Sequence, residues 1–445
     1  MDIFGMMPSF GGTALTLLAF VVALSVIVAV HEYGHYIVGR WCGIHAEVFS
    51  LGFGPVLYSR VDQRGTKWQF ALLPFGGYVK FLGDADAAST GPNGEVISSL
   101  SEADLKRTMH GADLWRRAAA VAAGPIFNFI LSIIVFGGVF LFSGTTSGDP
   151  VIGNIKSLPS QTEVFEPGDR IVSIGGVDTP DLATFYDVAG DTPPSELVDY
   201  VVERDGDVVE LRGAFPFPAV LDQLQPRSAA MDAGMAVGDV IQVVDGTPIH
   251  ALSQVQEAAQ ASNGEPLALT VWRDGENYDV TLTPRKRDIP TDNGFETRWL
   301  IGFSGGLFFE PPYERLGVGD AVIGGARQTW DVATSSLSGL WHMITGAISS
   351  CNIQGPIGIA QTSGDMASQG AMSFIWFIAV LSTAVGLMNL FPIPVLDGGH
   401  LVFHAYEAIA GKPPSDGALR VLMGTGLVLI LSLMVFALSN DLFCP

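Results

Sequence analysis

Four long apolar runs limit what this chain can become more tightly than any other feature. They span about Phe10 to Val38, Ala118 to Phe142, Phe374 to Phe391 and Val421 to Leu438, close to the roughly 20 helical residues that cross a hydrocarbon core. Backbone in lipid must satisfy its own hydrogen bonds, so each run is expected as a transmembrane helix. Composition agrees, because only 15% of the 445 residues are charged where soluble domains carry about a quarter. The formal charge of −22, from 23 basic and 45 acidic residues, argues against nucleic acid as a partner and leaves the lipid bilayer as the expected one. No Lys or Arg precedes Arg40, so the first run lacks the basic leader of a cleaved signal peptide and is expected to persist in the mature protein.

Sidedness follows from basic residues near the spans, which are retained on the cytoplasmic side. The loop from Gly39 to Arg117 holds nine, the turn before the fourth run holds Lys412 and Arg420, and the two ends hold none. Both termini are therefore expected outside. So is the segment from Ser143 to Ser373, which carries 31 acids against 12 bases. Val332 to Ser350 is also free of formal charge, but its Ser, Thr and Gly content favours an amphipathic helix against the outer leaflet over a fifth span. Cys42, Cys351 and Cys444 lie far apart and support neither a disulfide framework nor a thiolate zinc site.

The external segment repeats itself. Gly168-Asp169-Arg-Ile-Val-Ser-Ile-Gly-Gly recurs as Gly238-Asp239-Val-Ile-Gln-Val-Val-Asp-Gly, and Arg204-Asp205-Gly206 recurs as Arg273-Asp274-Gly275. Each copy reads as short alternating strands punctuated by Gly-Asp and Asp-Gly turns, with one helix, such as Ser253 to Ser262, between the strand pairs. The pattern resembles PDZ domains. Such domains capture an extended chain or a new C terminus at a sheet edge, and the copies read equally well as capture modules or as steric gates. The Pro159 to Gly168 approach to the first copy is shorter and atypical.

His31-Glu32-Tyr33-Gly34-His35 lies near the inner end of the first run. Residues four apart share a helix face, so both imidazoles reach one Zn²⁺ and the adjacent Glu32 can act as a base toward water. His31 stands nine residues before Arg40, about 13 Å along a helix, and ionisable groups at such depth mark function. Catalytic zinc takes three protein ligands. The third is expected from Asn389-Leu-Phe-Pro392-Ile-Pro394-Val-Leu-Asp397-Gly-Gly-His400, where two prolines break the third helix and Asp397 is the only acid between Asp365 and Glu407. A helix running inward brings Asp397 to the level of His31 and His35, and a fifth span would reverse it. His400 is a rival for that place, and His404 a more remote one.

Together, these motifs resemble the site-2 protease family of intramembrane zinc metalloproteases, and its bacterial sigma-regulating branch in particular. Gly52-Phe-Gly54-Pro55, Leu73-Pro-Phe-Gly-Gly-Tyr-Val-Lys80 and Ala123-Gly-Pro-Ile-Phe-Asn128 are similar to further motifs of that family. The resemblance implies a bacterial inner-membrane, multi-pass enzyme whose substrates are single-span proteins. These include an anti-sigma factor already trimmed by another protease, and remnant signal peptides. It also places Asn389, Gly52, Gly54, Pro392 and Pro394 at the substrate.

The expected architecture is thus a polytopic α-helical membrane protein with four transmembrane helices, a membrane-associated β-hairpin sheet within about 43–83, and two external PDZ-like α+β domains. Its divisions are 1–142 for the first two spans, 143–217 and 218–289 for the PDZ-like copies, 290–373 for a linker with amphipathic helices, and 374–445 for the last two spans. Strand-like runs Glu47 to Leu51, Val56 to Val61, Lys67 to Leu73 and Tyr78 to Phe81 around an Arg64-Gly65 turn offer an edge for an unwound substrate. They read equally as a cytoplasmic hairpin until the resemblance favours the former. Two other classes remain: a zinc-dependent membrane transporter, whose related membrane halves find no hydropathy echo here, and an inactive PDZ membrane scaffold, which has no use for Glu32.

Overall fold

The computed structural model describes residues 10–85, 94–159, 164–291 and 294–443. The expectations drawn from the first nine residues, from residues 160–163 and from Cys444 lie outside these. Two compact units are formed, one from the chain up to Val139 with Val318–Trp341 and the stretch from Ser350, the other from Phe140–Gly317 with His342–Ser349.

Among the described residues, four helices are long and apolar enough to cross a membrane: Gly12–Trp41, Leu114–Ser143, Ala371–Asn389 and Gly417–Phe443. The charge-free stretch at Val332 is not among them. It belongs to a helix over Val318–Ile344 that starts 14 residues before the expected stretch, and it exposes Val322, Trp330, Leu337 and Trp341. On the first span, Ala19, Ala23 and Ile27 are buried while Leu17, Leu18, Val22 and Val26 are exposed. That four-residue stripe is the inward face of the helix, and Ile27 meets Ile378 and Phe374 of the third span on it.

The second and third spans are joined through small polar residues. Ser132 Oγ donates to the Ala379 carbonyl at 2.8 Å and Ser382 Oγ to the Asn128 carbonyl at 2.9 Å, bonds that hold best where no water competes. Gly386 makes room, since a Cβ there would stand 3.1 Å from both Asn128 Cβ and the Pro125 carbonyl oxygen. After Asn389 the chain turns through the two prolines and starts a new helix over Asp397–Ala410, which sequence had read only as a break. A further helix, Pro356–Ser368, falls within the stretch expected to hold amphipathic helices. Its first turn is capped by Asp441 of the fourth span, whose carboxylate accepts from the Gly355, Ile357 and Gly358 amides at 2.9 to 3.0 Å.

Between the first two spans lie two bent strands, Ala46–Val61 and Lys67–Phe81, whose halves pair separately. Residues 46–51 pair on one side with 77–81 and on the other with 67–70, while 56–61 pair with 67–71. Residues 77–81 are therefore one edge of the sheet. Its base is packed, with Phe49, Val79 and Phe81 buried against Tyr36 and Ala120 and the Trp68 ring tilted against Phe49, centroids 4.4 Å apart. The far part leaves Phe53, Leu57, Tyr58, Phe70 and Leu73 exposed.

The second unit contains two four-stranded sheets of the same order. In one, Val177–Asp178, Arg170–Ile174, Val198–Arg204 and Asp207–Gly213 lie side by side, and in the other Thr247–Pro248, Val240–Val244, Leu267–Arg273 and Glu276–Leu282 do so. Helices Leu182–Asp191 and Leu252–Ala261 are equivalent. The repeated motifs bond to each other within each copy. Arg204 Nε reaches Asp169 at 2.7 Å and Arg273 Nε reaches Asp239 at 2.5 Å, and both aspartates are buried. Burial by itself raises the Asp239 pKa, but bonds from Arg273, Tyr278 and the Ala236 amide outweigh it and hold the carboxyl below its ordinary value. Asp205-Gly206 and Asp274-Gly275 both take positive φ, the tight hairpin turn for which Asp-Gly is suited.

Two sequence readings need correction here. The core of the first copy includes Phe308 and Phe309 together with Ile152, and that of the second includes Ile301, so boundaries drawn at 217 and 289 leave out residues that return to complete each fold. A hairpin, Arg285–Thr291 with Gly294–Leu300, also runs across the boundary drawn at 289 into the stretch expected as a linker. Secondly, Cys351 is disulfide-bonded while Cys42 is free, a pairing that sequence spacing does not reveal.

Candidate metal centre

The inward stripe of the first span, Ala19, Ala23 and Ile27, continues at the same four-residue interval into His31 and His35. Both rings thus point to the second span. Gly34 and Gly124 let the helices close there. A Cβ at Gly34 would stand 2.6 Å from the Ala123 carbonyl oxygen, and one at Gly124 would stand 2.6 Å from His35 Cε1 and 2.8 Å from His31 Cε1. On the other side, Gly77 of the sheet edge abuts Glu32, whose Cγ lies 3.0 Å from where a Cβ would be, and the Val79 amide addresses the Glu32 carboxylate.

Asp397 arrives as the first residue of its helix, where the N-terminal dipole favours a carboxylate. Gly398 and Gly399 allow the turn before it to fold back, since a Cβ on Gly399 would stand 2.5 Å from Pro394 Cα. That helix is tied to the second span by a two-pronged ion pair, Arg117 to Glu407 at 2.6 and 3.1 Å.

His31 Nε2, His35 Nε2 and an oxygen of Asp397 converge on one another. The separations are 3.2 Å between the two nitrogens, 3.2 Å from His31 Nε2 to Asp397 Oδ2 and 3.5 Å from His35 Nε2 to Asp397 Oδ1. Ligands about 2.0–2.1 Å from a tetrahedral zinc stand about 3.3 Å from one another; the two nitrogens have that spacing, and each meets a different oxygen of the Asp397 carboxylate at a similar distance. Asp397 Oδ2 is buried and faces His31 Nε2. The side chains are 12%, 13% and 18% exposed, and they open on a cavity of about 340 Å³ also lined by Glu32, Tyr78 and Asn389.

The other rings about the centre have different places. His35 Nδ1 lies 2.8 Å from the Ala120 carbonyl oxygen, and His31 Nδ1 lies 3.2 Å from Asn128 Nδ2. His400 and His404 line the cavity but stand outside the group of ligand-spaced atoms. Asn389 lines it too, its Nδ2 donating to the Val385 carbonyl at 3.1 Å. Gly52, Gly54, Pro392 and Pro394 do not line it. Gly52 and Gly54 instead bend the sheet with positive φ, and Pro394 packs on Gly426 of the fourth span. Sequence reasoning had quoted Gly124 and Asn128 only as parts of a motif; Gly34 and Gly124 as paired small residues on facing helices were the signal for close approach.

The sequence profile of peptidase family M50 matches residues 19–433. A protein of Agrobacterium fabrum named as a zinc metalloprotease is 35% identical over 430 residues, covering 95% of this chain and 94% of its own. One of Brucella suis named in the same way is 35% identical over 445 residues, 98% of this chain and 97% of its own. The regulator of sigma-E protease RseP of Salmonella typhimurium is 34% identical over 460 residues, 96% of this chain and 98% of its own. Similarity of that extent, in a chain with four membrane-length helices, shows that this protein belongs to peptidase family M50, the site-2 proteases, and is a zinc metalloprotease.

Proposed function

We propose that the protein hydrolyses peptide bonds within or near the membrane-spanning segment of single-span proteins, with zinc held by His31, His35 and Asp397 and Glu32 as general base. The carrying observation is the convergence of the His31 and His35 Nε2 atoms and the Asp397 carboxylate, with contacts of 3.2–3.5 Å, in a cavity that Glu32 shares. When bound, zinc supplies Lewis-acid polarisation of the reacting carbonyl. Glu32 takes a proton from the attacking water and delivers it to the leaving amine. Its placement beside the Val79 amide fixes the carboxylate at the sheet edge.

A helical substrate hides its peptide bonds and must be unwound before attack. Residues 77–81, paired with a strand on one side only, 46–51, offer an edge beside the catalytic group, and an extended substrate adds to it as a further strand. Asn389, two-faced in hydrogen bonding, holds the substrate backbone on the opposite wall. The exposed apolar part of the sheet, including Leu57 and Phe70, rests in lipid, with Gly52 and Gly54 shaping that loop near the substrate and Pro392 and Pro394 fixing the turn that presents Asp397.

Termini and the repeated domains face outward, in agreement with the basic loop at 39–117 and with a disulfide at Cys351, a bond of oxidising compartments. The two similar sheets are PDZ domains, and they admit a substrate only after its bulky external part has been removed. The relative in Salmonella is named for regulation of sigma E. A single-span anti-sigma factor is accordingly the substrate we assign, with remnant signal peptides as a second class. The test is reconstitution in proteoliposomes with a tagged single-span substrate in intact and externally trimmed forms. Cleavage of the trimmed form within its span is expected; cleavage of soluble peptides alone refutes the assignment.

A further inference from the structure

Both imidazoles present Nε2 to the candidate metal position, so in the loaded centre each ring must carry its remaining proton on Nδ1. For His35 the requirement is met by the Ala120 carbonyl oxygen, 2.8 Å away. For His31, among the described residues, the side chain at hydrogen-bond distance from Nδ1 is Asn128, which turns its Nδ2 there at 3.2 Å. A ring N–H and an amide NH₂ are both donors and cannot bond to each other. Meanwhile Asn128 Oδ1 is buried without any partner, in a residue with no exposed surface.

Carboxamide oxygen and nitrogen have nearly the same shape, so a half-turn of the amide exchanges them without moving any neighbour. We propose that Asn128 is the positioning residue of His31: its Oδ1 accepts the Nδ1 proton, fixes that tautomer and holds Nε2 toward His35 and Asp397. With Nδ2 toward His31, the amide suits the metal-free ring, in which Nε2 carries the proton toward Asp397 Oδ2 at 3.2 Å and Nδ1 accepts from Nδ2. Loading moves the neutral ring's proton from Nε2 to Nδ1, and the amide turns with it; His31 itself neither gains nor loses a proton overall. Asn128 is well braced for this, because its carbonyl accepts from Ser382 Oγ at 2.9 Å and its Cβ is pressed to Gly386.

This inference rests on His31 being a zinc ligand, so the test carries its own control. Zinc affinity of full-length protein in detergent is measured by competition with a chelator for the native chain, Asn128→Asp, Asn128→Ala and His31→Ala, alongside thermal unfolding. Removing an outer partner of a ligating histidine typically costs 10–100-fold in metal affinity. Asn128→Ala is expected to lose that much, and Asn128→Asp, which only accepts, to stay within about threefold of native. Native affinity in Asn128→Ala overturns the proposal. Equal weakening in both variants does so as well, since it indicates packing alone or a donor role. If Asn128→Ala fails to fold, Asn128→Asp decides by itself: retained affinity supports an acceptor and a tenfold loss refutes it. Native affinity in His31→Ala refutes the ligand assignment instead.

Discussion

Replacing Gly124 by Ala tests whether the second span sets the geometry of the metal centre. In an ordinary helix interior the change stabilises by up to about 1 kcal/mol through propensity. Here the added methyl would lie 2.6 Å from His35 Cε1 and 2.8 Å from His31 Cε1, where carbon atoms rest at about 3.5–4.0 Å. Either both rings retreat by about 1 Å or the helices part by as much. Such overpacking costs about 1–3 kcal/mol, so the protein should still fold. A catalytic constellation tolerates only about 0.5 Å, and a misplacement near 1 Å lowers turnover about 100-fold. Gly138→Ala in the same helix is the control, because nothing stands within 4 Å of its Cβ position. The assay is zinc content by chelator competition with cleavage of a single-span substrate at equal protein levels. Native zinc affinity and activity in Gly124→Ala would refute the packing argument.

Other expectations follow from the same structure. Glu407→Ala leaves Arg117, itself only 16% exposed, without its partner; a loss of about 2–3 kcal/mol with weaker zinc binding is expected in denaturation and chelator titrations, and unchanged zinc binding separates the ion pair from the site. Arg273→Ala strands the buried Asp239 carboxylate and should cost about 2–3 kcal/mol in the second repeated domain, read by limited proteolysis of the full chain. Because Asp239 is held below its ordinary pKa, its contribution is full above the unfolded value of about 3.9 and disappears as pH falls through the folded value, so the difference between native and variant should shrink toward low pH. Asn389→Ala should retain zinc and lose cleavage; unchanged cleavage at equal protein levels removes its substrate role.

Local periodicity carries much of the candidate site. His31, Glu32 and His35 are legible because four residues make one helical face, and Asp397 because it is the sole acid over a long apolar stretch. Asn128 is different: its contact with His31 spans 97 residues of sequence, and nothing in either local pattern encodes it. The same holds for Phe308 and Phe309, which enter the core of the first copy from beyond the second. The helix at Asp397–Ala410 was hidden by the prolines just before it, which end one helix but do not prevent another from starting. In the repeats the reverse happened. Gly-Asp and Arg-Asp-Gly were both visible as echoes, but that the aspartate of one binds the arginine of the other needed the sheet to bring them together.

The central claim is that Glu32 is the base of a zinc peptidase built at this centre, and Glu32→Gln addresses it most directly. Zinc content and cleavage of a tagged single-span substrate are measured in membranes on the native chain and the variant. The account predicts zinc in both, with cleavage reduced by about 10²–10⁴ in the variant, the range for loss of a general base. Undiminished cleavage by Glu32→Gln, or zinc in neither protein, would contradict it.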